Sequence, residues 1–316
     1  MARLHLHIGL PKTGTTALQA FCAGNGKLLA SHGLAYYASR GDSCGSIVRA
    51  ISKRAPIGPL RGDFTDWLSR QEGRDVIVSA EGFAACNPEH VFSVFAEGRW
   101  DGVDVIGYLR PQEAFLEGWY KQLVKWGNKC SLDEFLRPHA EFWGMGDYRP
   151  ALRAWTDWCA ANGHRRQFRV FDPRQLKGGD ICSDVFHAIG RPDLPVASVQ
   201  RNLSPSAQLT GLYLRLPPVE RLQQINRVMV ASGHPAATGS GDLLDAATVA
   251  LIRNHYAAAN AEIRNDHFPG HSRLFSNPPA PGPAPDPSGL DLLLIETLAK
   301  MRGPDVAARA RLALRV

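Results

Sequence analysis

The chain predicts an α/β fold of three layers: a central, mainly parallel sheet flanked by helices, with a helical C-terminal third. Two observations carry this prediction. VIV within RDVIVSAE at 74–81 is continuously apolar, as parallel strands covered on both faces are. Segments with helical periodicity and helix caps lie between such stretches, which supplies the crossovers that parallel strands need.

The elements follow in order along the chain. RLHLHI at 3–8 reads as the first strand, and residues 15–30 as a helix. Residues 39–63, rich in Gly, Arg and Ser, read as a loop with some helix. RDVIVSAE at 74–81 is a second, buried strand. NPEHVFSVFAEG at 87–98 has a capping Asn, Pro at the first helical position and Gly at its end, which predicts a helix. DVIGYLR is the third strand, and PQEAFLEGWYKQLVKWG at 111–127 an amphipathic helix closed by Gly127. SLDEFL at 131–136 opens with a Ser-x-x-Glu capping box. Residues 149–162 form a Trp-rich helix, RQFRVFD at 166–172 the fourth strand, and DICSDVFHAIG at 180–190 another helix. From about 205 the chain is mostly helical. NPPAPGPAPDPSG at 277–289 reads as a stiff Pro-rich linker, followed by a helix at 290–302. The expected organisation is an α/β domain at 1–276, the linker at 277–289 and a helical tail at 290–316.

Composition narrows the function classes. The 316 residues carry a formal charge of +6, which favours an anionic ligand or substrate. No Lys/Arg tract or finger pattern points to nucleic acid, and no apolar run is long enough for a membrane span. Cys22, Cys44, Cys86, Cys130, Cys159 and Cys182 are scattered without ligand-type spacing, so reduced thiols and no metal site are expected. MARLHLHIGLPK lacks the pattern of a secretory leader. The cytoplasm is the expected compartment.

The chemistry concentrates in HIGLPKTGTTALQ, residues 7–19. A strand running through a Gly-bearing loop into a helix makes an anion site, because free N–H groups and the helix dipole both face the ligand. Gly14 permits close backbone approach, Thr15 and Thr16 add hydroxyls at the first turn, and Lys12 adds a cation. Gly9 and Gly14 keep the spacing of the phosphate-loop pattern G-x-x-x-x-G-K-[ST], which makes the fold P-loop-type. Thr15, however, stands at the lysine position, and the lysine lies inside the loop at 12. A cation there sits nearer a shorter anionic chain than a triphosphate.

PKTGTT between a strand and a helix resembles the 5′-phosphosulfate loop of sulfotransferases that use 3′-phosphoadenosine 5′-phosphosulfate, specifically the bacterial and heparan-type carbohydrate sulfotransferases. The resemblance implies that Pro11, Lys12, Thr13, Gly14, Thr15 and Thr16 bind that donor. It implies no metal, and an acceptor that is a glycan or another hydroxyl-bearing small molecule. Members of the family also carry a strand-terminal Arg followed eight residues later by Ser, both on the 3′-phosphate. Here Arg110 matches and Gly118 does not, leaving only an N–H at 118 and shifting the duty toward Gln112 or Lys121. SAEGF is similar to the bacterial SSE-type stretch. RNLSPSAQ at 201–208 and the ANAEIRNDHFPG…LF segment at 259–275 resemble the family's C-terminal part. The similarity covers roughly residues 3–275.

Sulfuryl transfer places nucleophile and leaving oxygen in line. Lys12 is expected to stabilise the departing phosphate. Glu81, at the carboxyl end of a buried strand on the same rim, is the candidate base. It could equally pair with Lys12 or Arg110. His5 and His7 alternate on the first strand and are expected in the core, as are Trp119 and Tyr120. Lys121, Lys125 and Lys129 suit either an anionic acceptor or a solvated face, and the second is the expectation. Two other readings stay open. One is an atypical P-loop kinase, with Asp172 holding Mg²⁺. The other is a non-catalytic nucleotide-binding protein, for which Gly118 is the support.

Overall fold

A computed structural model describes residues 2–137, 141–196, 204–239, 243–277 and 284–316. Within it the chain divides into two compact units, residues 1–110, 148–202 and 261–275, and residues 111–147, 203–260 and 276–316. Residues 278–283 of the 277–289 segment and the start of RNLSPSAQ lie outside the described residues.

The first unit is α/β, as the sequence predicts. Five strands, β1 (Arg3–His7), β2 (Leu34–Tyr37), β3 (Asp75–Ser79), β4 (Gly102–Leu109) and β5 (Arg165–Val170), form one sheet in the order β2-β3-β1-β4-β5. Every pairing is parallel. All five carboxyl ends therefore share one rim, with β1 at the centre of the sheet. Leu4, Leu6, Ile8, Val76, Val78, Val103 and Val105 bury one face, against Phe64, Phe95 and Trp155. Ile77, Ile106 and Tyr108 on the other face pack against Leu18, Phe21 and Cys22 of the helix Thr15–Gly24 and Val185 and Phe186 of the helix Ile181–Ala188. Each such buried side chain contributes roughly 1.5–3 kcal/mol.

Three local expectations change. LAYY at 34–37 is a strand that the sequence reading did not assign; at four residues on the sheet edge it is too short to show a period. The helix expected at 15–30 is interrupted at Asn25, between the poor helix formers Gly24 and Gly26, and resumes as Gly26–Ser31. The helix expected at 87–98 runs only from Pro88 to Phe92, with a separate 3₁₀ turn at Ala96–Gly98. Its cap is as read: the Asn87 side chain accepts from the N–H groups of Glu89 and His90.

The second unit is helical. Its core joins Phe115, Leu116 and Tyr120 of the helix Gln112–Lys125 to Leu209, Tyr213, Ile225, Met229, Ile252 and Tyr256. The capping box at Ser131 is formed in full with Glu134. The two last helices, Leu290–Arg302 and Pro304–Leu314, bury Leu290, Leu294, Leu298, Ala310 and Leu314 in this same core.

All six cysteines are free thiols. Among the described residues no helix is long and apolar enough to cross a membrane.

Candidate functional site

The site grows from the central strand. β1 ends at His7, and residues 8–14 carry the chain to the start of the helix Thr15–Gly24. Gly14 is its N-cap at φ +78°, and no side chain caps the helix. Its carbonyl accepts from the N–H groups of Ala17 and Leu18. Among the described residues the N–H groups of Thr15 and Thr16 meet no backbone carbonyl, since the first donors of a helix have none four residues back within it, so they can meet an anion.

The loop is closely packed on its inner side. A Cβ on Gly9 would lie 2.6 Å from the Thr15 hydroxyl and 3.1 Å from the Ala80 carbonyl oxygen. A Cβ on Gly14 would lie 3.0 Å from the Phe171 ring. The Thr13 hydroxyl donates to the Leu10 carbonyl at 2.7 Å and is spent inside the turn. Thr15 is buried, and its hydroxyl oxygen has no hydrogen-bond partner. A buried polar atom left unpaired costs about 1–3 kcal/mol, and a ligand oxygen would satisfy it. Pro11 and Lys12 are half-buried and Thr16 is exposed.

Lys12 holds a left-handed backbone, φ +64°, where a side chain other than glycine is strained. Its carbonyl accepts from the Arg110 guanidinium at 2.6 Å. That guanidinium also lies 5.8 Å above the Phe171 ring, and the Tyr148 hydroxyl donates to the Arg110 carbonyl at 2.8 Å. Arg110, just past the end of β4, is thus tied into the loop itself.

Glu81 stands two residues past the end of β3, the strand next to β1. The two loops are joined by backbone bonds: the Gly82 N–H donates to the Gly9 carbonyl at 3.0 Å, and the Ala80 N–H to the His7 carbonyl at 3.4 Å. Glu81 is exposed, and no ion pair or hydrogen bond among the described residues engages its carboxylate. Lys12, Arg110 and Glu81 therefore come together on one rim of the first unit.

Gly118 lies in the helix Gln112–Lys125 of the second unit. The two neighbours expected to replace a serine there are committed elsewhere. Gln112 exchanges both amide bonds with Asn260, at 2.8 and 3.0 Å. Lys121, 1% exposed, pairs with Glu117 at 2.9 Å and donates to the Gly239 carbonyl at 3.1 Å. The expectation of a solvated lysine face holds only in part: Lys121 is buried and Lys125 half-buried, while Lys129 is exposed, though it donates to the carbonyls of Tyr213, Leu214 and Leu216, at the C-terminus of the helix Ala207–Arg215. Burial lowers the pKa of Lys125, helped by the charge of Arg227. Tyr120 and Trp119 pack in or against the helical core, as read.

His5 and His7 are both buried in the sheet, again as read. Beneath the loop, sequence reasoning missed three partners. His7 Nδ1 lies 2.8 Å from the Ser79 hydroxyl, and the Gln19 amide donates to the Ser79 carbonyl at 3.2 Å and to its hydroxyl oxygen at 3.3 Å. The only sequence signal for them is position, since His7 and Ser79 each end a strand and Gln19 sits in the second turn of the loop's helix.

Asp172, the residue a kinase reading needs, follows the edge strand β5. The Arg174 guanidinium holds its carboxylate, with Nε at 3.0 Å and a terminal nitrogen at 2.6 Å, and this hydrogen bonding depresses its pKa. Among the described residues no cluster of His, Cys, Asp and Glu has the make-up of a metal site.

Comparison with protein-family models gave no match for this chain, and comparison with curated proteins gave none.

Proposed function

We propose that the chain is a sulfotransferase with a P-loop-type fold, moving a sulfuryl group from 3′-phosphoadenosine 5′-phosphosulfate to a hydroxyl or amine acceptor, most simply a carbohydrate hydroxyl. One observation carries the reading: a left-handed Lys12 inside a glycine-bounded loop at the end of the central strand, with an unpaired exposed carboxylate, Glu81, on the adjoining loop. The residues fit the donor. The unpartnered Thr15 hydroxyl and the first-turn N–H groups of Thr15 and Thr16 together suit a 5′-phosphate.

In this reaction the sulfur–oxygen bond to the 5′-phosphate breaks as a new one forms to the acceptor oxygen. Lys12 offsets the charge that collects on the leaving phosphate oxygen, and the first-turn N–H groups hold the phosphate without reorganising. Glu81 takes the acceptor's proton. Arg110 supplies positive charge for the 3′-phosphate.

Two observations bear on the alternatives. The engagement of Asp172 by Arg174 disfavours a Mg²⁺-dependent kinase. Gly118, with Gln112 and Lys121 committed within the second unit, favours weaker hold on the 3′-phosphate and keeps a non-catalytic nucleotide binder as the second reading. Calorimetry with adenosine 3′,5′-bisphosphate, followed by transfer of labelled sulfate to a mixture of oligosaccharide acceptors, separates them. Binding with transfer supports the enzyme; binding without transfer supports the second reading; no binding removes both.

A further inference from the structure

We propose that His7, Ser79 and Gln19 form a buried positioning device that fixes the Lys12 loop against the Glu81 turn. The inference rests on the sulfuryl-transfer reading for its purpose, and on geometry for its existence. His7 ends β1 and Ser79 ends β3, and the two are register partners. Gln19 lies in the helix that leaves the loop. One serine therefore joins both flanks of the loop, two residues before Gly9 and three after Thr16, to a point two residues before Glu81.

All three side chains are buried, His7 at 1%, Ser79 at 0% and Gln19 at 8% exposure. The proton count assigns their roles. The Gln19 amide is a donor toward the Ser79 oxygen. If the Ser79 hydroxyl then donates to His7 Nδ1, only the His7 Nε2–H is left unpaired. If His7 Nδ1–H donates instead, both the serine proton and His7 Nε2 lack partners. The first arrangement leaves fewer buried groups unsatisfied, so His7 is a neutral Nε2–H tautomer accepting from Ser79. Burial also opposes its protonation, which keeps the arrangement in place through neutral pH. Both elements are then locked by a bond that does not titrate where the enzyme works. A fixed spacing between the leaving-group cation and the base is what in-line transfer requires.

The test uses the full chain without ligand first. Nitrogen–proton correlation spectra are expected to show His7 as one neutral tautomer, proton on Nε2, from pH 5 to 8. Ser79→Ala and Gln19→Met are expected to speed exchange of the hydrogen-bonded amides of Ala17, Leu18, Ala80 and Gly82 at least tenfold, with exchange in β4 unchanged. In transfer from labelled donor to the oligosaccharide mixture, both variants are expected to lose tenfold or more in kcat with the donor KM within twofold. A mixed or titrating His7, or loop exchange that neither variant alters, overturns the proposal. The spectra and exchange rates need no nucleotide, so they decide the positioning role even where adenosine 3′,5′-bisphosphate fails to bind and the transfer reading falls.

Discussion

The Arg110 guanidinium donates to the carbonyl oxygen of Lys12 at 2.6 Å, ninety-eight residues away in sequence. Lys12 stands at φ +64°, a conformation that costs an L-residue roughly 1–2 kcal/mol. A charge-assisted bond contributes about 1.5–3 kcal/mol, enough to offset that strain. The residue that the family resemblance assigns to the 3′-phosphate therefore also shapes the loop proposed for the 5′-phosphate. Arg110→Gln should weaken binding of adenosine 3′,5′-bisphosphate and also of adenosine 5′-phosphate, which has no 3′ group. Calorimetry with both nucleotides checks this. Loss confined to the bisphosphate would show that Arg110 serves the 3′-phosphate alone.

Lys12→Ala keeps the backbone carbonyl that Arg110 holds and removes the side chain that carries the ammonium. Turnover should fall about 10²–10³-fold, the usual effect of deleting one donor aimed at developing charge. Nucleotide affinity should change far less. Steady-state transfer rates beside calorimetry separate the two, and near-normal kcat would remove Lys12 from the chemistry.

Glu81→Gln should reduce kcat strongly and leave nucleotide binding intact, because the carboxylate has no partner to lose among the described residues. Asp172→Asn is the matching control. It breaks a local pair with Arg174 and should cost little transfer activity. A kinase would show the reverse pattern, together with Mg²⁺-dependent ATP consumption.

Gly9→Ala tests the cradle. The added methyl would meet the Thr15 hydroxyl at 2.6 Å and the Ala80 backbone at 3.1 Å. The side chain can turn away but the backbone cannot, so the loop must shift. Nucleotide binding should weaken at least tenfold, by calorimetry, while the fold stays intact by far-ultraviolet circular dichroism. Unchanged affinity would place the anion elsewhere.

What was legible in the sequence was what is local. Gly14 and the threonines after it announce a helix start, Asn87 and Ser131 announce caps, and continuous runs such as VIV at 76–78 announce buried strands. From strand ends alone, Glu81 and Arg110 could be placed on the loop's rim. Pairs distant in sequence were not legible. His7 and Ser79 lie seventy-two residues apart and meet only through strand register. The bonding of Lys121 and Lys129 was not legible because charge is exposed by default. Their carbonyl acceptors at Gly239 and Tyr213 come from elements no local pattern links to them. β2 was missed because four residues beside Gly33 give neither length nor period.

Two histidines two residues apart on β1 respond to pH in opposite directions. Burial would lower His5, but the Asp104 and Asp75 carboxylates, at 3.1 and 3.9 Å, outweigh it and hold its pKa above the ordinary value. The carboxylates act on the ring through close polar contact first and through their charge second. Arg3, Arg165 and Arg191 face the same carboxylates. For His7, burial alone takes the pKa down to about 4. Unfolded histidines titrate near 6.5. Protonated His5 thus contributes stability that is complete below about pH 6.5 and is lost as pH rises through its raised folded value. His7 acts the other way: below about pH 6.5 the unfolded chain takes up a proton that the folded one refuses, at a cost reaching on the order of 3 kcal/mol near pH 4. Denaturant unfolding at pH 5, 6.5 and 8 should place maximum stability near the middle value. His5→Gln should flatten the decline toward pH 8, and His7→Gln the decline toward pH 5. Equal slopes in wild type and both variants would mean that neither ring couples to folding, and that the carboxylates around His5 are held by the three arginines alone.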